Sequence, residues 1–151
     1  MDAATQILVD ADACPVKDEI YRVAERYGIK VLIVANSYMR IPRDQEVELV
    51  VVSADFDAAD DYIAQRADEN SIVVTADILL ADRCIKSGAT VIGNSGKLFT
   101  DNSIGGAIAT RAIMADLRAG GDAIGGPPPF SKADRSRFLQ ALDQAIVSMK
   151  N

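Results

Sequence analysis

Five short apolar runs, separated by stretches of helical spacing, constrain this chain more than any other feature. The runs at 7–9 (ILV), 30–35 (KVLIVA), 47–53, 72–75 (IVVT) and 89–92 (ATVI) are of strand length and almost wholly apolar. A strand apolar on both sides must be covered on both faces, as in a parallel sheet between two helical layers. The intervening segments suit those layers. Ile20, Val23, Ala24 and Tyr27 repeat at helical spacing after Pro15, and Gly28 ends that helix. A second helix is predicted over about 57–68, with Ala59, Ile63 and Ala67 inward, and a third over 78–86 before Gly88. Strands two and three lack an intervening helix, and residues 36–42 (NSYMRIP) read as a loop. The expected fold is an α/β three-layer sandwich with a mainly parallel central sheet.

After Gly93 the pattern changes. GNSGKLFTDNS reads as a polar loop, and Ile104, Ile108, Ile113 and Leu117 predict a long helix ending at Gly120. GGDAIGGPPPF is a Gly/Pro-rich connector, and Ser131 caps a last helix carrying Phe138, Leu142 and Ile146. The length suits a single domain over residues 1–151, with a C-terminal helical extension from about residue 103. No internal repeat interrupts it.

Composition removes several chemistries. The chain has no histidine, which excludes Ser-His-Asp and Cys-His catalysis and the usual His-containing zinc sites. Cys14 and Cys84 are too few and too isolated for a disulfide framework or a zinc motif. No apolar run approaches membrane-spanning length, so no membrane partner is expected. MDAATQ lacks the features of a signal peptide, and a cytoplasmic location is expected. The net charge of −6 argues against broad electrostatic binding to nucleic acid but leaves room for a local basic track.

Four of the runs end in Asp or Asn where a helix pattern begins. Asp10 and Asp12 follow the first, Asn36 the second, Asp55, Asp57 and Asp60 the third, and Asp77 the fourth. In a parallel sheet these ends lie along one edge, where such folds build their sites. Carboxylates converging there repel unless a cation or protons separate them. A site for a hard divalent metal, Mg²⁺ or Mn²⁺, is the sharpest reading, with Asp10, Asp12, Asp57, Asp60 and Asp77 as ligand candidates. Helix capping is the competing reading for Asp12, for the Asp57/Asp60 pair and for Asp77. Asp61 and Asp82 read as surface residues. Cys14 sits near a helix start, where the dipole lowers a thiol pKa, but a small buried cysteine is the plainer reading. Asn36, Ser37, Arg40 and Arg43 form a polar loop at the same edge; Arg40, Arg43, Lys97, Lys132 and Arg135 could contact phosphate, and Tyr38 or Phe130 could stack on a base. Each is also an ordinary loop, surface or core residue.

The words VDADACPV, VAN, DFDAADDYI, VVTADILLA and GGPPPFSKADR together resemble the YaiI/YqxD family of bacterial proteins, over about residues 7–142. That family is similar to PIN-like domains, a nuclease fold with a parallel sheet and an acidic cluster binding magnesium or manganese. The resemblance implies an Asp after the first strand at Asp10, an acidic residue on a middle helix at Asp57 or Asp60, and a T-x-D after a later strand at Asp77. Family members often read P-R-G after the fifth strand, where this chain has Asn94, Ser95 and Gly96, so a basic residue is missing there unless Lys97 replaces it.

The expected function is a metal-dependent nuclease or phosphodiesterase acting on RNA or other nucleic acid. Asp10, Asp57, Asp60 and Asp77 are the expected catalytic carboxylates, and Asn36, Arg40, Lys97 and Arg135 the expected substrate contacts. One alternative is a haloacid-dehalogenase-like phosphatase with Asp10 as nucleophile and Asp12 as acid–base residue. Its mechanism needs a lysine and a later acidic pair, and Asp60 and Asp61 come too early. The other is a non-catalytic nucleic-acid- or protein-binding module.

Overall fold

The structure is a computed structural model that describes residues 5–12, 14–55, 57–119 and 130–150, without the side chains of 111–119 and 150. Among these, six strands form one sheet in the order β3-β2-β1-β4-β5-β6. The strands are β1 (Gln6–Asp10), β2 (Lys30–Ala35), β3 (Val47–Val51), β4 (Ser71–Val74), β5 (Thr90–Ile92) and β6 (Leu98–Phe99). The first five run parallel and β6 is antiparallel to β5. The helices are α1 (Lys17–Tyr27), α2 (Ala58–Arg66), α3 (Ile78–Lys86), α4 (Asp101–Ala119) and α5 (Lys132–Lys150). The result is a single-domain three-layer sandwich.

The continuous apolar strands are buried on both faces because successive side chains alternate across the sheet. Ile7, Val9, Val31, Ile33, Ile72, Val74 and Ile92 pack with Ile20 and Val23 of α1 and with Phe138, Leu142 and Ile146 of α5. Leu8, Leu32, Val34, Val73 and Val91 pack with Ile63 of α2, Leu80 and Cys84 of α3, and Ile104 of α4. Fully burying one such side chain contributes about 1.5–3 kcal/mol. The last helix is therefore a core layer and not an appendage.

Several elements begin or end away from their sequence expectation. The first helix starts at Lys17, after Pro15, and its N-cap position is Val16 with no side-chain cap bond. Asp12 does not cap it. The second helix is shorter than 57–68, ending at Arg66. The loop expected after Gly93 contains a strand, β6, closed by a turn in which Gly93 N–H donates to Lys97 O at 2.8 Å. Gly96 makes this turn with φ +90°, and a Cβ there would lie 2.6 Å from the carbonyl oxygen of Arg137 on α5. Only glycine fits so close to that helix. Ser131 caps α5 as expected: its hydroxyl accepts from Asp134 N–H at 3.1 Å, and Asp134 accepts from Ser131 N–H at 2.9 Å. The connector at 120–129 and the side chains of Ile113 and Leu117 lie outside the described residues.

The strand order explains where a site forms. The chain steps from β1 outward to β2 and β3, then returns to pair β4 with the other side of β1. Beyond the carboxyl ends of β1 and β4 the connections therefore depart in opposite directions. Such a switch point leaves a crevice.

Candidate functional site

Asp10 closes β1 on the same side of the strand as Leu8, toward α2 and α3. Thr75, just past β4, is 1% exposed and donates its hydroxyl to Asp10 Oδ2 at 2.9 Å. The same hydroxyl oxygen accepts from Asp77 N–H at 3.0 Å. One buried threonine thus joins the ends of β1 and β4 to the start of α3. Asp77 is the N-cap of α3, with Oδ1 accepting from Leu79 N–H at 2.9 Å and Leu80 N–H at 3.2 Å. The capping reading of Asp77 is correct, and it does not remove Asp77 from the site.

These residues border a cleft of about 410 Å³ at the switch point. Asp10, Asp12, Asp55, Asp57, Asp60 and Asp77 all line it. Asn36 adds an amide, and the remaining described lining, such as Val34, Ala54 and Ala59, is apolar with no lysine or arginine. Burial pushes the Asp10 carboxyl above its ordinary range. The Thr75 hydroxyl opposes that shift, and the charges of Asp77 and Asp12 add to it. Asp60, on the first turn of α2, is pushed up from 3.8 to about 6. Burial is the largest cause, followed by the charges of Asp77, Asp10 and Asp57 and a hydrogen bond with Asp77. Asp60 is therefore partly protonated at mildly acidic pH.

Asp57 has φ +70° and is the only non-glycine residue with positive φ among the described residues. It occupies the N-cap position of α2 but makes no side-chain cap bond. The capping-box reading of Asp57 and Asp60 is thus not what the chain builds. Left-handed backbone costs about 1–2 kcal/mol for an L-residue, least for Asp and Asn. Asp57 takes that conformation on the cleft rim.

Asp10, Asp12, Asn36, Asp57, Asp60 and Asp77 all border this one cleft. Arg40, Lys97 and Arg135 do not reach the cleft. Arg40 lines a separate hollow in the loop between β2 and β3. Lys97 stands over the Phe99 ring at 5.6 Å. Arg135 donates to Pro15 O at 2.7 Å and to buried Glu19 at 2.8 Å, which clamps α5 onto the start of α1. Asp61 and Asp82 are held on the surface by Arg83 and Lys86, each at 2.9 Å. Both cysteines are buried. Burial raises Cys14 against any dipole effect and raises Cys84 to about 11, so neither is a thiolate near neutrality. The sequence placed Asp55 at this edge without naming it a ligand candidate, and it missed Thr75 as the side chain that positions Asp10. The signal for Thr75 was present: a hydroxyl residue two positions before a strand-end Asp.

The polar lining, carboxylates and one amide, offers only hard oxygen donors of the kind that suit Mg²⁺ or Mn²⁺. Among the described residues, no three or more His, Cys, Asp or Glu side chains are already gathered where they could hold an ion.

Fold and cleft together define a class: parallel α/β proteins with a histidine-free acidic site at the sheet's switch point. Within it, the chain belongs to the family described as "Uncharacterized BCR, YaiI/YqxD family", whose model matches residues 8–148. A "UPF0178 protein" of Sphingopyxis alaskensis is 68% identical over 149 residues, covering 98% of this chain and 97% of the relative. Another of Nitrobacter winogradskyi is 57% identical over 143 residues, covering 95% and 91%. A third, of Brucella ovis, is 57% identical over 145 residues, covering 95% and 90%. No solved structure matches the chain. Among the described residues, no helix is long and apolar enough to cross a membrane.

Proposed function

We propose that this protein is a metal-dependent phosphodiesterase acting on RNA or other nucleic acid, as the resemblance to PIN-like nucleases implies. The observation that carries the proposal is that Asp10, Asp60 and Asp77 line one cleft, where burial and the neighbouring charges push the Asp60 carboxyl up to about 6. A divalent cation would relieve that repulsion on binding. Asp10, Asp60 and Asp77 would hold the ion, with Asp12 and Asp57 at the rim. These carboxylates would have to draw together to hold the ion, and affinity would rise with pH as the Asp60 carboxyl ionises. When bound, the ion supplies a Lewis acid for the phosphate oxygens and a water of lowered pKa. Thr75 keeps the Asp10 carboxyl oriented, Asp77 fixes the start of α3, and the apolar wall of Val34 and the alanines leaves the carboxylates as the groups facing a substrate. No protein nucleophile is needed, which suits a chain with buried thiols and no histidine.

The phosphatase alternative is weaker, because the described lining has no lysine to support an aspartyl-phosphate. Incubation with bis-p-nitrophenyl phosphate, p-nitrophenyl phosphate and single-stranded RNA, each with Mn²⁺ or EDTA, separates the readings. The proposal expects Mn²⁺-dependent cleavage of the diesters, lost in Asp10→Asn. Hydrolysis of the monoester alone would favour the phosphatase. No turnover of any substrate, with Mn²⁺ shown to be bound, would leave a binding module.

A further inference from the structure

A cleft lined by carboxylates repels the phosphates of a nucleic acid, so a strand must be anchored by something outside it. The loop between β2 and β3 leaves the cleft at Asn36 and then carries Tyr38, Arg40 and Arg43, which with Ile41 line a hollow of about 400 Å³. Asn36 and Tyr38 are two residues apart, so their α-carbons are at most about 7 Å apart. Tyr38 is 77% exposed, the most exposed large hydrophobic side chain among the described residues, while its neighbour Met39 packs against the core. Arg26, Arg83, Arg135 and Arg137 each pair with a carboxylate, and Arg66 lies over the Tyr62 ring at 3.9 Å. Among the described arginine side chains, Arg40, Arg43 and the exposed Arg22 on α1 have neither an ion pair nor a side-chain hydrogen bond, although the chain carries a net charge of −6, and of these Arg40 and Arg43 lie together in one hollow. Two unsatisfied guanidinium groups beside an exposed aromatic ring match a nucleotide: the ring offers a stacking face, and the guanidinium forks fit phosphate oxygens.

We infer that Tyr38, Arg40 and Arg43 form an anchoring subsite for single-stranded nucleic acid, with a base stacked on Tyr38 and its phosphates held by the arginines. This deepens the phosphodiesterase reading and rests on it for what happens next: the adjoining phosphodiester enters the acidic cleft past Asn36. The strand is single because a paired and stacked base offers no face to a side chain.

Binding and cleavage test the two readings separately. Fluorescence anisotropy in EDTA at low salt measures binding of a labelled single-stranded RNA, the matching DNA strand and the RNA duplex to the wild-type chain and three variants. Tyr38→Ala should weaken single-strand binding about 5- to 150-fold, the range for loss of one stacked base. Tyr38→Phe should bind like wild type, because the stacking face remains. Arg40→Ala/Arg43→Ala should flatten the slope of log affinity against log salt by about 1.4, for two lost contacts to a single strand. The subsite is overturned if the wild type binds no single strand, if Tyr38→Ala binds as tightly as wild type, or if the duplex binds as well as the single strand. Binding that depends on Tyr38 without Mn²⁺-dependent cleavage would keep the subsite and refute the phosphodiesterase. Cleavage with an unchanged KM in Tyr38→Ala would keep the phosphodiesterase and refute the subsite.

Discussion

Replacing Asp60 by asparagine isolates the repulsion inside the cleft. The change is nearly isosteric, and an amide can still donate a hydrogen bond to Asp77. In the wild type, the Asp60 carboxyl titrates at about 6 in the folded chain, against 3.8 ordinarily. The folded state thus binds the proton more tightly than the unfolded state, and the stability associated with it is fully present below pH 3.8 and lost as pH rises through about 6. The full linkage over that interval would be about 3 kcal/mol. Asp60 faces an open cleft, and solvent screening reduces the figure to on the order of 1 kcal/mol. Asp60→Asn has no proton to lose, so in EDTA it should match wild type near pH 4 and exceed it by about 1 kcal/mol at pH 7.5. For a chain of this length that is a rise in Tm of roughly 2–4 °C. Urea melts of both proteins across this pH range read the difference directly, since groups titrating alike in both proteins cancel. Saturating Mn²⁺ at pH 7.5 should reverse the order, because the wild type gains a ligand-binding term that the variant largely lacks. A stability difference that stays flat with pH, or a variant less stable than wild type at pH 7.5 in EDTA, would refute the reasoning.

Three further outcomes follow from particular contacts. Asp77→Asn keeps a capping side chain for Leu79 and Leu80 and should fold normally, yet lose much of the Mn²⁺-induced rise in Tm, a rise that for wild type corresponds to about 2.7 kcal/mol at 100 times the Kd; identical shifts in both proteins would remove Asp77 from the site. Cys14→Ser should retain whatever Mn²⁺-dependent cleavage the wild type has, because burial keeps that thiol protonated, and a large loss of turnover with intact folding would contradict this. Gly96→Ala should lower stability by at least the 1–2 kcal/mol of a left-handed alanine, with more from the clash against the Arg137 carbonyl, as read by chemical denaturation.

Much of the sandwich was legible because its strands are short, continuous and apolar. The second strand and third helix fall at Lys30–Ala35 and Ile78–Lys86, as their patterns predict. There, strand apolarity and helix punctuation agree with the tertiary environment. Leu98–Phe99 was not legible, because two residues in a polar stretch carry no period and pair only through the turn at Gly93–Gly96. The strand order was hidden for the same reason: local pattern marks strands but not their neighbours. The acidic residues were legible from strand ends, a local signal. Their environments were not, since the raised pKa of Asp60 comes first from burial in the folded cleft and then from Asp77 and Asp10, which are distant in sequence. Arg135 reads as a free cation in sequence and is a clamp in the structure, because its partner Glu19 lies 116 positions away. Asp12 and Asp57 look like caps wherever an Asp precedes a helix, and only the backbone shows that neither makes the cap bond.

The central claim is that the cleft at the β1/β4 switch point is a hard-metal site. Anomalous scattering from crystals grown at neutral pH with saturating Mn²⁺ tests it most directly. The account predicts a peak among the carboxyl groups of Asp10, Asp60 and Asp77, with ligand oxygens at about 2 Å. A cleft without a peak, with those three carboxyl groups left apart, would contradict it.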